Sequence, residues 1–138
     1  MKTAVVDTSV SASWILPDEQ SELAEALLKE VIAGKLGLLQ PVLWQYEMVN
    51  LIRSAQQRGR LTKAGAKAAC SLWAKVFVHD LDSPDAFARQ RTLELAMHYG
   101  LSGYDAAYLE LAQRFVVPLY SADARLQRAA KALGLPQG

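Results

Sequence analysis

Asp7 stops a β-branched apolar run, "TAVV", and Asp123 follows another apolar run in "LYSAD". Between them, Glu47 lies four residues from both Leu43 and Leu51, with Trp44 and Met48 flanking the same side. That spacing puts a carboxylate in or beside the apolar stripe of a helix, where an unpaired charge is costly. Asn50 lies one turn later, close enough to share a partner with it. Asp105 falls in the first turn of a helix opening at Ser102. Drawn together to about 7 Å, four such acids make six repulsive pairs of about 2 kcal/mol each at an effective dielectric near 20. The sum, roughly 10–15 kcal/mol, rivals the whole stability of a small domain, so protons or cations must neutralise such a group. An all-oxygen set without paired histidines or cysteines suits Mg2+ or Mn2+, not zinc.

Each acid also has a plain structural use. Asp7 can cap the turn that follows it, and Asp105, three residues after Ser102, approximates a capping box. Asp123 can complement a helix dipole, and a tilted helix would let Glu47 reach water. The case for chemistry is therefore joint and depends on the elements that position the acids.

Those elements alternate in type. Thr3–Val6 reads as a strand covered on both faces. Ser21–Ala33 recurs at helical spacing, with Leu23, Leu27 and Ile32 expected inward. Leu36–Leu39 is a second strand, Pro41 suits a first helical turn, and Val42–Arg58 is a long amphipathic helix ended by Gly59. Thr62 caps a helix running to about Lys75, and "KVFVHDL" (Lys75–Leu81) alternates as a third strand. A helix over Asp85–His98 stops at Gly100, and "SGYDAAYLELAQRF" forms the next. Val116–Ser121 is the fourth strand, with Pro118 marking an edge or a strand start, and Ala122–Leu133 the last helix. Strands alternating with crossover helices predict a single three-layer α/β/α domain over residues 1–138, around a mainly parallel sheet of four to five strands. In such sheets ligands bind beyond the carboxyl ends of the strands, the rim toward which Asp7 and Asp123 would project.

The set "VVDTSV", "PVLWQYEMVN", "LSGYDAAYLELA" and "LYSADARL" resembles, in order and spacing, the PIN-domain ribonucleases, and in size the VapC toxins of bacterial and archaeal toxin–antitoxin pairs. The resemblance covers nearly the whole chain. It implies that Asp7, Glu47, Asp105 and Asp123 hold divalent metal and that the metal activates water to cleave an RNA phosphodiester. It implies supporting hydrogen bonds from Thr8, Asn50 and Ser121, a homodimer, and a cognate VapB-like antitoxin. Arg125 follows Asp123 by two, where some relatives carry a further acid, and "LGLPQG" leaves the last strand of the fold short or missing.

Composition narrows the alternatives. A net charge of +1 excludes a uniformly cationic nucleic-acid surface but not a local basic groove. Arg125 and Arg128 adjoin the acids and are candidate RNA contacts; Arg53, Arg58, Arg60, Lys63 and Lys67 form a second basic group, which a solvated face would explain as well. His79 and His98 lack histidine neighbours at ligand spacing and read as structural or surface residues. Trp14, Ile15, Leu16, Trp44 and Tyr46 read mainly as core, with a dimer surface or antitoxin groove as the other use. One cysteine, no signal-peptide pattern and no bilayer-length apolar run predict a soluble, cytoplasmic protein without membrane contact.

Four other readings remain. A phosphotransferase of the haloacid-dehalogenase type needs a second acid two residues after the first, where Ser9 stands. A phospho-receiver needs paired acids at the first strand end and a lysine after the last strand, and neither is visible. A PIN-like scaffold that only binds would tolerate loss of acids, whereas all four are present; a PIN nuclease of RNA processing outside any toxin system shares every feature above.

Overall fold

Ala4, Val5 and Val6 are wholly buried although successive residues of a strand face opposite ways, so layers must cover both sides of the sheet they form. The computed structural model, which describes residues 1–137, shows how. Strand β1 (Lys2–Val6) leads into a short helix α1 (Thr8–Ser11) and a 3-10 turn (Ala12–Trp14), then α2 (Glu22–Ile32). There follow β2 (Leu36–Pro41), α3 (Val42–Gln57), α4 (Lys63–Trp73), β3 (Val78–Asp82), α5 (Ala86–Tyr99), α6 (Gly103–Phe115), β4 (Leu119–Tyr120) and α7 (Ala124–Ala132). The four strands are all parallel, in the order β3-β2-β1-β4, giving a three-layer α/β architecture.

Local chemistry sets most boundaries. Ser21, Thr62, Asp85 and Ser102 each accept a hydrogen bond from the backbone N–H three residues on and so start α2, α4, α5 and α6. Gly100 ends α5 in the left-handed conformation that suits glycine (φ +64°). Leu38, Trp44, Met48, Leu95, Tyr108, Leu109 and Leu126 fill the centre of the core.

Three expectations need correction. The buried stripe of α2 is Ala24, Leu27 and Val31, while Leu23 and Ile32 are exposed. The third strand begins only at Val78, because the N–H groups of Lys75 and Val76 bond back to Leu72 and Trp73 in the turn closing α4. The fourth strand shrinks to Leu119–Tyr120. Val116 is taken up as the left-handed cap of α6 (φ +54°), and Pro118 offers only its carbonyl, to the Val5 N–H at 2.9 Å. The sheet otherwise agrees with the expected four to five strands: it has four, and no fifth strand follows α7 among the described residues.

The topology positions the site. From β1 the chain builds outward to β2 and β3, then returns to add β4 on β1's other side, so the order reverses at β1. At that end β1 and β2 diverge: backbone pairing stops at Ala4–Leu38, and β2 shifts register against β3 between Leu38 and Leu39. The buried Gln40 carboxamide spans the gap, accepting from the Val6 N–H (2.9 Å) and donating to the Val6 carbonyl (2.7 Å).

Candidate active site

Asp7 is the first residue past β1, held by its N–H to the Tyr120 carbonyl of β4 at 3.0 Å. Only 5 % exposed, its carboxylate is surrounded by neutral donors. Ser9 Oγ (2.5 Å) and the Val10 N–H (3.3 Å) reach Oδ1, and Ser121 Oγ (2.6 Å) reaches Oδ2. Burial pushes the Asp7 carboxyl above the usual carboxylate range; the Ser121, Ser9 and Val10 hydrogen bonds oppose this and the negative charge of Asp105 adds to it. Asp7 thus caps α1, but the cap alone does not explain a carboxylate buried without a cation among the described residues.

Ser121 joins two of the acids. Its hydroxyl donates to Asp7 and accepts from the Asp123 N–H at 3.0 Å, while Ser9 Oγ accepts from the Ala122 N–H at 2.8 Å. The exposed Asp123 caps α7 through Oδ1, which accepts from the Arg125 and Leu126 N–H groups at 2.8 and 3.1 Å. Asp105 is half-buried; its N–H bonds to Ser102 Oγ at 3.0 Å, while its carboxylate accepts no hydrogen bond among the described residues. The reciprocal half of a capping box is missing.

Glu47 is half-buried on α3, beside the stripe of Trp44, Met48, Ile52 and Ala55. Its Oε1 accepts from Thr8 Oγ1 at 3.2 Å and from the Tyr108 hydroxyl. Burial first, and the Glu47 carboxylate second, raise the Tyr108 pKa well above a normal phenol, so Tyr108 stays a donor. Asn50 lies off the stripe, exposed and without a hydrogen bond among the described residues, so the partner it was expected to share with Glu47 is absent. Ser9, Tyr108 and Gln40 are the site-building residues that sequence reading missed. A tyrosine one turn after Asp105 in an apolar stripe was the visible signal, since its hydroxyl needs a partner.

The expected four-acid cluster is looser than its repulsion estimate assumed. Among the described residues no three acid, histidine or cysteine side chains close around a common metal position. The charge of Asp105 acts on Asp7, and Ser121 links Asp7 to the backbone of Asp123. Three of the four charges are met by hydroxyls and amides. The set fits a hard divalent ion by donor chemistry: all ligands are oxygens, and Glu47 Oε2, Asp123 Oδ2 and the Asp105 carboxylate accept nothing from the protein among the described residues. Mg2+ keeps several waters and takes only one or two carboxylates directly, so an open arrangement suits it better than a closed cage would.

The basic candidates separate. Arg125 Nη1 donates to the Gly100 carbonyl at 3.0 Å, and Arg128 is exposed with no partner among the described residues. Arg60 is spent on Asp18 (2.7 Å) and Glu19 (3.1 Å), which ties down part of the second basic group. His79 and His98 are exposed. Trp14, Ile15, Leu16 and Trp44 belong to the core, whereas Tyr46 is exposed.

The PIN domain family matches residues 4–132. The chain belongs to the PIN-domain family. It is 33 % identical over 138 aligned residues to ribonuclease VapC3 of Pyrobaculum aerophilum, an alignment spanning 96 % of this chain and 98 % of that protein. It is 30 % identical to ribonuclease VapC9 of Mycobacterium tuberculosis over 93 % of this chain and 91 % of the relative. The crystal structure of PAE2754 from Pyrobaculum aerophilum superposes with a TM-score of 0.68 at 21 % identity, covering 93 % of this PIN domain chain and 86 % of the other. That likeness shows the PIN fold, and the identities make this a VapC-like PIN domain.

Proposed function

We propose that this PIN-domain protein is an endoribonuclease that hydrolyses RNA phosphodiester bonds, the toxin of a VapBC-type pair, acting over residues 1–138 as one domain. The observation that carries this reading is Asp7: a carboxylate buried at the topological switch point, within reach of the charge of Asp105, with hydroxyls and an amide but no cation to answer it among the described residues. Relatives of nearly equal length bear the name ribonuclease. Asp7, Glu47, Asp105 and Asp123 would hold Mg2+ or Mn2+. When bound, the ion supplies hydroxide at neutral pH and relieves charge on the phosphate and leaving oxygens.

The chain's own residues do the positioning. Ser9 and Ser121 fix the Asp7 carboxylate from both sides, and Thr8 holds one oxygen of Glu47. Asn50, on the exposed side of α3, is a supporting residue only if substrate or a partner draws it in. Arg125 and Arg128, on the helix that Asp123 caps, would meet RNA phosphates, where each cation contributes a salt-dependent share of affinity. No helix among the described residues is long and apolar enough to cross a membrane. A cytoplasmic homodimer held in check by a VapB-like antitoxin is the setting this function implies.

The test is cleavage of total RNA by purified protein with Mg2+ or Mn2+, beside Asp7→Asn and a chelator control. Cleavage lost in both controls, by roughly 100-fold or more for the variant, is the expected outcome. Cleavage unchanged in Asp7→Asn would contradict the assignment.

A further inference from the structure

We propose that Tyr108 is a positioning residue for the acid site: with Thr8 it occupies one oxygen of Glu47 and leaves the other as the oxygen offered to metal. The inference rests on the metal-site reading above and adds to it a residue that none of the four acids' positions predicts.

The geometry is specific. Tyr108 is 1 % exposed on α6, three residues after Asp105, and its hydroxyl crosses to Glu47 on α3, 61 residues away. Thr8, adjacent to Asp7, donates to the same Oε1 at 3.2 Å. Oε1 therefore accepts two hydroxyl protons, while Oε2 accepts none among the described residues. A phenol this deeply buried cannot swing to another partner without orphaning its O–H, so the lock on Oε1 is durable. One hydroxyl thus joins the helix of Asp105 to the helix of Glu47, and the shared oxygen carries the link to the turn after Asp7. Glu47 itself has several rotatable bonds and borders solvent; without the lock its carboxylate is free to sample rotamers that turn both oxygens from the rim.

The test is calorimetric titration of metal-free protein with Mn2+, comparing parent, Tyr108→Phe, Thr8→Val and Asp7→Asn, with thermal midpoints and kcat and KM for RNA cleavage beside it. Phenylalanine keeps the packing and removes only the donor. Tyr108→Phe should weaken Mn2+ binding by roughly 10–100-fold and lower kcat at fixed metal, with KM for RNA essentially unchanged. Thr8→Val should move the same readouts in the same direction by less, and it carries the test if Tyr108→Phe folds poorly. Mn2+ affinity unchanged in both hydroxyl variants, with Asp7→Asn abolishing it, overturns this inference and leaves the metal site standing. A lowered midpoint with Mn2+ affinity intact overturns it too, since the contact would then be structural only. If Asp7→Asn also binds Mn2+ like the parent, the metal-site reading fails and this inference with it.

Discussion

Asp7 and Glu110 are equally buried carboxylates, each 5 % exposed, and the protein treats them in opposite ways. Glu110, on α6, is gripped by both arms of Arg114 at 2.7 and 2.9 Å, and the same guanidinium reaches Asp82 at the carboxyl end of β3. Those two carboxylates raise the Arg114 pKa further above its already high value. Asp82 is thus a second acid at a strand end on the same sheet, with its cation supplied from within. Among the described residues Asp7 has hydroxyls and one amide, a neighbouring acid, and no cation. Two acids at strand ends of one sheet thus share a position but not an electrostatic environment. The identity of their partners differs: the β3 side balances its own charge, whereas Asp7 on the β1–β4 side meets only neutral donors among the described residues.

The largest expected effect breaks the balanced side. Arg114→Met strands a buried carboxylate and should cost about 2–4 kcal/mol in denaturant unfolding, toward the low end of buried-pair losses because Arg114 is itself partly exposed. Mn2+ affinity should be unchanged. A smaller effect sharpens the other side: Ser121→Ala removes the hydroxyl between Asp7 and the Asp123 N–H, and should weaken Mn2+ roughly tenfold by calorimetry with little change in secondary structure by circular dichroism. If Arg114→Met weakened Mn2+ as much as Ser121→Ala, the two regions would not be separable in the way described.

The smallest effect is a pH dependence. The Asp7 carboxyl lies above its unfolded value in the folded protein, so the native state binds the proton more tightly and stability falls as pH rises through the interval between the two values. Below that interval both states are protonated and nothing is lost; above it the destabilisation is complete. Asp7→Asn, without metal, should therefore melt higher than the parent at neutral pH, the gap closing as pH falls toward 4. Thermal melts across pH check this, and a gap that widened on acidification would reverse the assigned sign.

Much of this fold was legible because its signals are local. Ser102 caps α6, Gly100 closes α5, and the buried run before Asp7 reads as a strand from side-chain chemistry alone. The carboxyl-end rim followed once strands and helices alternated. What sequence missed depends on distant partners: Tyr108 with Glu47, Gln40 with Val6, and Ser121 with Asp7 lie 61, 34 and 114 residues apart. The shortening of β4 escaped because Val116 adopts a left-handed conformation that its β-branched side chain disfavours, and the outward turn of Leu23 because Leu23 and Ala24 offered competing faces to one stripe. The sequence could also suggest four acids near one another but not that no three of them close around a common metal position among the described residues.

The most direct test of the central claim is anomalous diffraction from crystals of the parent protein soaked in Mn2+. A peak is expected at the carboxyl end of β1, with an oxygen of Asp7 among its ligands at about 2.0–2.3 Å, and none beside Arg114. A peak at the Asp82–Glu110 group, or none at Asp7 in a crystal that binds Mn2+ elsewhere, would contradict it.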